Sequence, residues 1–363
     1  MRILILHNLL WSQYKSVIFE KIAQTCSPSD EVLVVQTAIT EKGREDLVDF
    51  DVNNFPYKYP FKLLNQIPLQ KVSKLQTVIR WINTILTFNP DVINLTGYNE
   101  LGTIPVLLLA KLKGIKTILT IESVQHQGGR FQSIKLLYKK LVFQLSDGIF
   151  SYGLNTNRFL FEQGVPKQKI LSYLNAFDQE KFQVSQAANT NVKPYLLYVG
   201  RISPEKNLES LVELMKVLDW NLKIVGEGPQ REYLAQKSGP NVEFMGSIAW
   251  KKLPDIYQGA ACLILPSTYE PWGMVANEAQ ALGKPVICTE ACGCANDLVI
   301  DGKNGLVLED IVKAENIERI QTFLKNLPKN QASIEAFSAR NAQIFTVEQL
   351  ASEMYKGFQK LIA

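Results

Sequence analysis

Leu263-Ile-Leu-Pro-Ser-Thr-Tyr-Glu270-Pro-Trp-Gly-Met-Val-Ala-Asn-Glu278-Ala-Gln-Ala-Leu-Gly283 decides the fold. An apolar run ending at Pro266 predicts a buried strand. Ser267 to Trp272 predicts a turn, and Gly273 opens a helix of good formers closed by Gly283. Glu270 and Glu278 then stand at a strand-loop-helix junction. In an open parallel sheet such a junction lies at the carboxyl ends of the strands, where ligands bind, and the first N–H groups of the helix suit phosphate. The plainer alternative makes Glu270 a loop cap and Glu278 a solvated helix residue.

Tyr195 to Gly200 is a continuous apolar strand followed by Arg201-Ile-Ser-Pro-Glu-Lys206-Asn207, then a helix patterned by Leu208, Leu211, Val212, Met215 and Leu218. Ser203 is the expected N-cap, with Pro204 at the first helical position. Arg201 and Lys206 would flank that helix N-terminus, where two cations call for an anion between them. A planar fork and a mobile ammonium together suit a diphosphate. The alternative is two ordinary surface cations.

Leu222 to Val225 predicts a strand running into Gly226-Glu-Gly228-Pro-Gln-Arg231. Two glycines permit close backbone approach to a ligand, but a dinucleotide fingerprint would need a third where Arg231 stands, which favours a nucleotide sugar over NAD. Val242 to Met245 predicts a strand ending in the turn Gly246-Ser247. Pro285 to Thr289 predicts another, leading to Gly293-Cys-Ala-Asn-Asp-Leu and the turn Asp301-Gly-Lys-Asn-Gly305.

From Tyr195 to Leu308 these motifs, in this order, resemble retaining glycosyltransferase family 4, of GT-B architecture: α/β, two Rossmann-like parallel-sheet domains facing a central cleft. The resemblance implies a donor site of Gly200, Arg201, Lys206, Gly226, Gly228, Ser247, Glu270, Trp272, Gly273, Met274, Val275 and Glu278. Arg201 and Lys206 would clamp the pyrophosphate, Glu270 hold sugar hydroxyls and Glu278 the ribose. Ser247 would meet the base through backbone. Such enzymes are thought to react on one face of the sugar without a protein nucleophile. No cofactor and no divalent metal are implied, since cationic side chains and a helix end take the metal's place.

The first half also alternates strand and helix. Strands are expected at Arg2–His7, Glu31–Gln36, Asp91–Leu95, Lys116–Ile121, Gly148–Tyr152 and Ile170–Leu174, with helices at Gln66–Phe88, Leu101–Lys113, Ser133–Ser146 and Thr156–Gln163. At 363 residues, nearly half hydrophobic, the chain can bury two cores. The expected domains are residues 1–180 on the acceptor side and 181–345 for the nucleotide sugar. Gln179 to Lys193 is the candidate linker, and a last helix near 346–363 crosses back to the first domain.

In the first domain the resemblance thins. The place of the family's glycine-rich loop holds Asn8-Leu-Leu-Trp-Ser-Gln-Tyr-Lys15, so Lys15 is a candidate for holding phosphate or acceptor. The family's catalytic histidine near the fourth strand is matched by Thr120-Ile-Glu122-Ser-Val-Gln-His126. Glu122, at the strand end, is the preferred candidate and His126 the second, with an ordinary loop histidine as the alternative.

The N-terminal apolar run is short for a signal peptide, and the longest apolar stretch, Ile104 to Ala110, is too short to span a bilayer. Cys26, Cys262, Cys288, Cys292 and Cys294 are odd in number, with Cys262 and Cys288 in expected core strands, so a cytoplasmic setting without disulfides is expected. Cys292-Gly-Cys294 is too narrowly spaced for a zinc pair, and two histidines are too few for a histidine metal site.

The net charge of +4 hides an asymmetry. From Lys58 to Lys140 the bases face only Asp91, Glu100 and Glu122, and Phe61-Lys-Leu-Leu and Lys135-Leu-Leu-Tyr-Lys139-Lys140-Leu-Val-Phe interleave bases with apolar side chains as an interfacial helix does. A core helix with a solvated basic edge is the alternative. An anionic membrane surface is therefore a candidate partner, beside the nucleotide sugar and a glycan or lipid-linked acceptor in cell-surface polysaccharide synthesis. No motif supports nucleic acid. Two rival functions share these features: a nucleotide-sugar epimerase of the same fold, and a non-catalytic membrane-associated binding protein.

Overall fold

A computed structural model describes residues 1–10, 13–41, 58–97, 102–122, 132–172, 174–180, 182 and 194–363. The candidate linker falls mostly outside them. The chain forms two compact units, one of residues 1–152, 156–176 and 347–363, the other of 153–155 and 177–346.

The first unit is built on a seven-stranded sheet of β1 (Arg2–Leu9), β2 (Glu31–Ala38), β3 (Phe61–Leu63), β4 (Val92–Thr96), β5 (Lys116–Ile121), β6 (Gly148–Ser151) and β7 (Ile170–Ser172), in the order 3-2-1-4-5-6-7. All pairings are parallel, with Ile3 opposite Val32 on one side and Val92 on the other. Parallel strands covered on both faces read as apolar runs, which is why β1, β4 and β5 stood out in the sequence. β3 did not. Phe61-Lys-Leu was read as part of an interfacial pattern, but it pairs in parallel with β2, Val34 opposite Phe61. Three residues are too few for a period to declare itself.

Helices α1 (Gln13–Thr25) and α11 (Val347–Ile362) pack on one face of this sheet. The other face carries α2 (Lys74–Phe88), α3 (Thr103–Lys113), α4 (Gln132–Leu145) and α5 (Leu154–Glu162). α2 starts eight residues later than its periodicity suggested, because Ser73 caps it, its hydroxyl accepting from Gln76 N–H, and the chain before it makes a separate 3-10 turn after Pro68. α11 is joined to the start of the sheet through Asp30, which accepts from the Met1 amino group at 2.8 Å and the Tyr355 hydroxyl at 2.7 Å.

The second unit has a six-stranded parallel sheet of β8 (Tyr195–Val199), β9 (Leu222–Val225), β10 (Val242–Gly246), β11 (Ala260–Leu265), β12 (Val286–Thr289) and β13 (Gly305–Leu308), in the order 10-9-8-11-12-13. Its helices are α6 (Leu208–Met215), α7 (Arg231–Lys237), α8 (Leu253–Gly259), α9 (Met274–Ala281) and α10 (Ala314–Ala342). In each sheet the strand order reverses once, between β1 and β4 and between β8 and β11. Beyond the carboxyl ends of strands at such a reversal, connections leave in opposite directions and open a crevice.

α11 follows the second unit in sequence but completes the core of the first. Gly357 admits the close packing: a Cβ there would lie 2.6 Å from Phe150 Cε1. Its neighbour Phe358 is fully buried, edge-on to Phe150 at 5.4 Å between ring centroids. Phe358→Ala is expected to cost about 3–5 kcal/mol by denaturant unfolding. A loss below about 1 kcal/mol would mean that α11 is not core to this unit.

Candidate active site

The loops after β8 and β11 meet at the second unit's strand reversal. Lys206 Nζ donates to Glu270 Oε2 at 2.6 Å, each side chain about one-sixth exposed. The clamp lysine and the first motif carboxylate were read as separate features, and they are partners. Arg201 stays exposed and, among the described residues, in no ion pair. Burial pushes the Glu205 carboxyl up, but the Ser203 hydroxyl bond, a backbone hydrogen bond and then the Lys206 and Arg201 charges bring it below its usual range.

The helix start differs from expectation. Ser203 precedes a 3-10 turn, Pro204–Lys206, and its hydroxyl donates to Glu205 Oε1 at 2.6 Å rather than capping a backbone N–H. Asn207, in the left-handed conformation at φ 53°, then opens α6 at Leu208. Arg201 and Lys206 therefore do not flank an α-helix N-terminus. What turns the 3-10 segment toward β11 is Glu205, whose carbonyl accepts from Thr268 N–H at 2.9 Å.

Gly226 and Gly228 serve a packing need that the sequence reading did not include. A Cβ on Gly226 would sit 1.9 Å from the Gly200 carbonyl oxygen and one on Gly228 2.2 Å from that of Ile202. They let two loops lie backbone to backbone, fixing Gly200 and Arg201 in place.

Glu270 is held by its own backbone, its N–H donating to Ala291 and its carbonyl accepting from Gly293 N–H at 2.8 Å. Gly273 follows at φ 94° as the N-cap of α9, with no side-chain cap, so Met274 and Val275, both half-buried, begin an uncapped first turn. Trp272 is buried, its Nε1 donating to Asn277 Oδ1 at 2.7 Å and its ring 5.8 Å from Phe345. Ser247 is exposed beyond β10.

Glu278 is not a solvated helix residue. At 1% exposure it accepts from the Tyr257 hydroxyl at 2.8 Å and from Trp250 Nε1 at 3.3 Å. A carboxylate buried at that depth requires such partners. Neither Trp250 nor Tyr257 was singled out in the sequence. The signal was a polar-tipped aromatic on α8 and another just before it, both in an otherwise apolar neighbourhood.

The first unit has its own polar cluster at its strand reversal. Lys15, at the start of α1, donates to Glu122 beyond β5 and to the Tyr152 hydroxyl at 2.9 Å, with its ammonium 4.2 Å from the Tyr152 ring centroid. Burial pulls the lysine's pKa down, but Glu122 and Tyr152 more than reverse this and leave it raised. Two residues singled out separately thus form one ion pair. His126 lies outside the described residues.

His7, near the end of β1, escaped notice as more than a scarce histidine. It is buried, with Nδ1 2.5 Å from Thr96 Oγ1 and Nε2 without a hydrogen-bond partner. The same Thr96 hydroxyl lies 3.2 Å from the Leu6 carbonyl. Burial first, and Lys15 second, push the His7 pKa down to about 3. Among the described residues no group of three or more His, Cys, Asp or Glu could hold a metal ion.

Residues 178–340 match the family model described as glycosyl transferases group 1. An uncharacterized glycosyltransferase of Methanocaldococcus jannaschii is 31% identical over 134 residues, 36% of this chain and 38% of that protein. A GDP-mannose-dependent alpha-mannosyltransferase of Corynebacterium glutamicum is 35% identical over 174 residues, 48% of this chain and 41% of that one. The matched segments thus span about two-fifths of these relatives. Among solved structures, Anabaena HepE in complex with UDP superposes with TM-score 0.77 at 18% identity, covering 99% of this chain and 100% of that one. Sucrose-phosphate synthase from Thermosynechococcus elongatus gives 0.78 at 20%, covering 99% of each. Two parallel α/β sheets and these neighbours make the fold GT-B. The residues that match the family model, 178–340, all lie in the second unit.

Because the folded His7 pKa lies below its ordinary value near 6.5, the unfolded chain binds a proton that the folded one refuses between about pH 6.5 and 3. Stability therefore falls as pH drops through that window, by up to about 1.4 kcal/mol per unit from this group. Between pH 6.5 and 5 the wild type should lose about 2 kcal/mol more than His7→Gln in denaturant titrations. Parallel losses would show that His7 titrates normally.

Proposed function

We propose that the chain moves a hexose-type sugar, with retention of configuration, from a nucleotide diphosphate donor to a hydroxyl of a glycan or lipid-linked glycan in cell-surface polysaccharide synthesis. A UDP-sugar is the first choice of donor and GDP-mannose the second. The observation that carries the reading is the Lys206–Glu270 pair beside the exposed Arg201, at the strand reversal of a domain matching the group 1 family. Supporting the donor class, HepE was solved with UDP and with UDP-glucose, and the Corynebacterium relative is named for GDP-mannose.

In this reading the bond between the anomeric carbon and the diphosphate breaks as one to the acceptor oxygen forms on the same face, and the acceptor proton passes to the departing diphosphate oxygen. Charge builds on the departing diphosphate, the largest electrostatic need of the step. Arg201 supplies a planar fork and Lys206 a point charge. Glu270 serves twice: it pre-positions the Lys206 ammonium, and its carboxylate accepts sugar hydroxyls, with the uncapped turn of α9 beside it. Glu278 accepts from ribose hydroxyls, its carboxylate oriented by Tyr257 and Trp250. Side-chain cations meet the diphosphate's charge, so the step calls for no divalent metal and no cofactor.

Arg201→Ala and Lys206→Ala should each lower turnover by about 100-fold or more, followed as release of nucleoside diphosphate from folded protein. Unchanged turnover in both would remove the clamp.

The two carboxylates should separate in binding. Glu278→Gln should weaken affinity for free nucleoside diphosphate, by about tenfold for one charge-assisted bond. Glu270→Gln should damage use of the sugar by a larger factor than it changes affinity for free nucleoside diphosphate. Calorimetry on both variants decides it, and equal losses would contradict the division.

A further inference from the structure

One face of the first unit combines bases and exposed apolar side chains on helices that carry no acid. The helices α2, α3 and α4, which lie side by side over the sheet, contain no Asp or Glu. Their bases are Lys74 and Arg80 on α2, Lys111 and Lys113 on α3, and Lys135, Lys139 and Lys140 on α4. Between them large apolar side chains stand in solvent: Leu75 at 72% exposure with Ile79 and Leu86 on α2, Leu112 at 87% with Leu108 on α3, and Leu137 at 70% with Leu136 and Leu141 on α4.

The helical phase excludes an accident of patterning. Leu75, Ile79 and Leu86 fall on one side of α2, while Trp81 and Ile85 from its other side enter the core. On α4, Leu137 and Leu141 stand one turn apart, with Val142 and Phe143 turned inward. Each helix thus has an apolar side for the sheet and a second one outside. The opposite layer gives the contrast. α1 and α11 mix Glu20, Glu348 and Glu353 with Lys21, Lys356 and Lys360, pair Lys21 with Glu348 at 2.8 Å, and leave only Tyr14 and Ile362 as large exposed apolar side chains.

A surface that offers bases and leucines together, with no acid, matches a partner that is both anionic and backed by an apolar phase. A second copy docking by the same face would set base against base, as an isologous contact must. Nucleic acid would satisfy the charge and strand the leucines. An anionic lipid leaflet satisfies both, the headgroups meeting the ammonium groups while the leucines enter the acyl boundary. No helix among the described residues is long and apolar enough to cross a membrane, so contact of this kind is peripheral.

We propose that the outer face of α2, α3 and α4 is a bilayer-docking surface selective for anionic lipid, held jointly by exposed leucines and by lysines. It deepens the glycosyl-transfer reading by placing the encounter with a lipid-linked acceptor, and rests on that reading for this step alone. The alternating bases of Lys135 to Lys140 are one edge of a three-helix surface.

The test is cosedimentation of the full chain with vesicles of phosphatidylcholine alone or mixed with phosphatidylglycerol, at low and high salt, read without turnover. Two variants dissect it: Lys111→Glu/Lys113→Glu/Lys140→Glu reverses charge, and Leu112→Ser/Leu137→Ser removes apolar contact at constant charge. All five side chains are exposed, so both should fold, checked by their thermal midpoints and by a nucleotide-induced shift like that of the wild type. Expected are binding to the anionic vesicles only, weakening with salt, and a loss of about tenfold or more in each variant. Three outcomes overturn the proposal: no binding to anionic vesicles by the folded wild type, binding that the leucine variant leaves unchanged, or self-association in solution abolished by that variant. Failure here with intact diphosphate release would leave the transfer reaction standing and remove only the surface.

Discussion

Lys206 and Glu270 meet because β8 and β11 end side by side at the reversal of strand order. The two residues are 64 apart in sequence, and only the parallel register of these strands, Leu197 opposite Leu263, brings their loops together. Once the loops converge, a half-buried ammonium requires an acceptor and a half-buried carboxylate a donor, and each is the other's solution. The glycines at 226 and 228 serve the same convergence by letting the neighbouring loop lie against Gly200 and Ile202 without a side chain between. In the first unit the same geometry gathers His7, Thr96, Lys15 and Glu122 at the ends of β1, β4 and β5 and at the start of α1.

The motif's two carboxylates live in different electrostatic worlds. Glu270 is paired with a cation and partly wet, so its charge is balanced and its lone pairs remain addressable. Glu278 is buried and oriented by two neutral donors, a tyrosine hydroxyl and an indole N–H. Arg201, on the loop that carries Lys206, keeps its charge exposed.

Much of this could be read from the chain. The apolar runs of β1, β5, β8, β9 and β12 and the Gly273–Gly283 helix declared themselves because buried parallel strands and good helix formers carry strong periods. The residues of the site were legible by type and place, but not their pairings. Nothing in the spacing of Lys15 and Glu122, or of Lys206 and Glu270, says that they touch, since tertiary contact is set by sheet order rather than by local period. Ser203 looked like a cap because Ser-Pro is a common helix opening, and a left-handed Asn207 displaced the start by a turn. Tyr257 and Tyr152 are buried and Trp250 is half-buried, and nothing in their spacing marks any of them as a partner of a charge. Their hydrogen-bonding tips become functional only when a buried charge lies within reach. The short β3 and the buried His7 left no pattern at all.

Thermal shift across UDP, GDP and ADP and their sugars tests the central claim most directly, because it asks whether the folded chain recognises a nucleoside diphosphate before asking what is done with it. A nucleotide present at about 100 times its dissociation constant should add about 2.7 kcal/mol of stability. UDP or GDP, with the matching sugar, should raise the midpoint clearly above the others. No shift with any of them at millimolar concentration would contradict a nucleotide-sugar site at the end of β8 and β11.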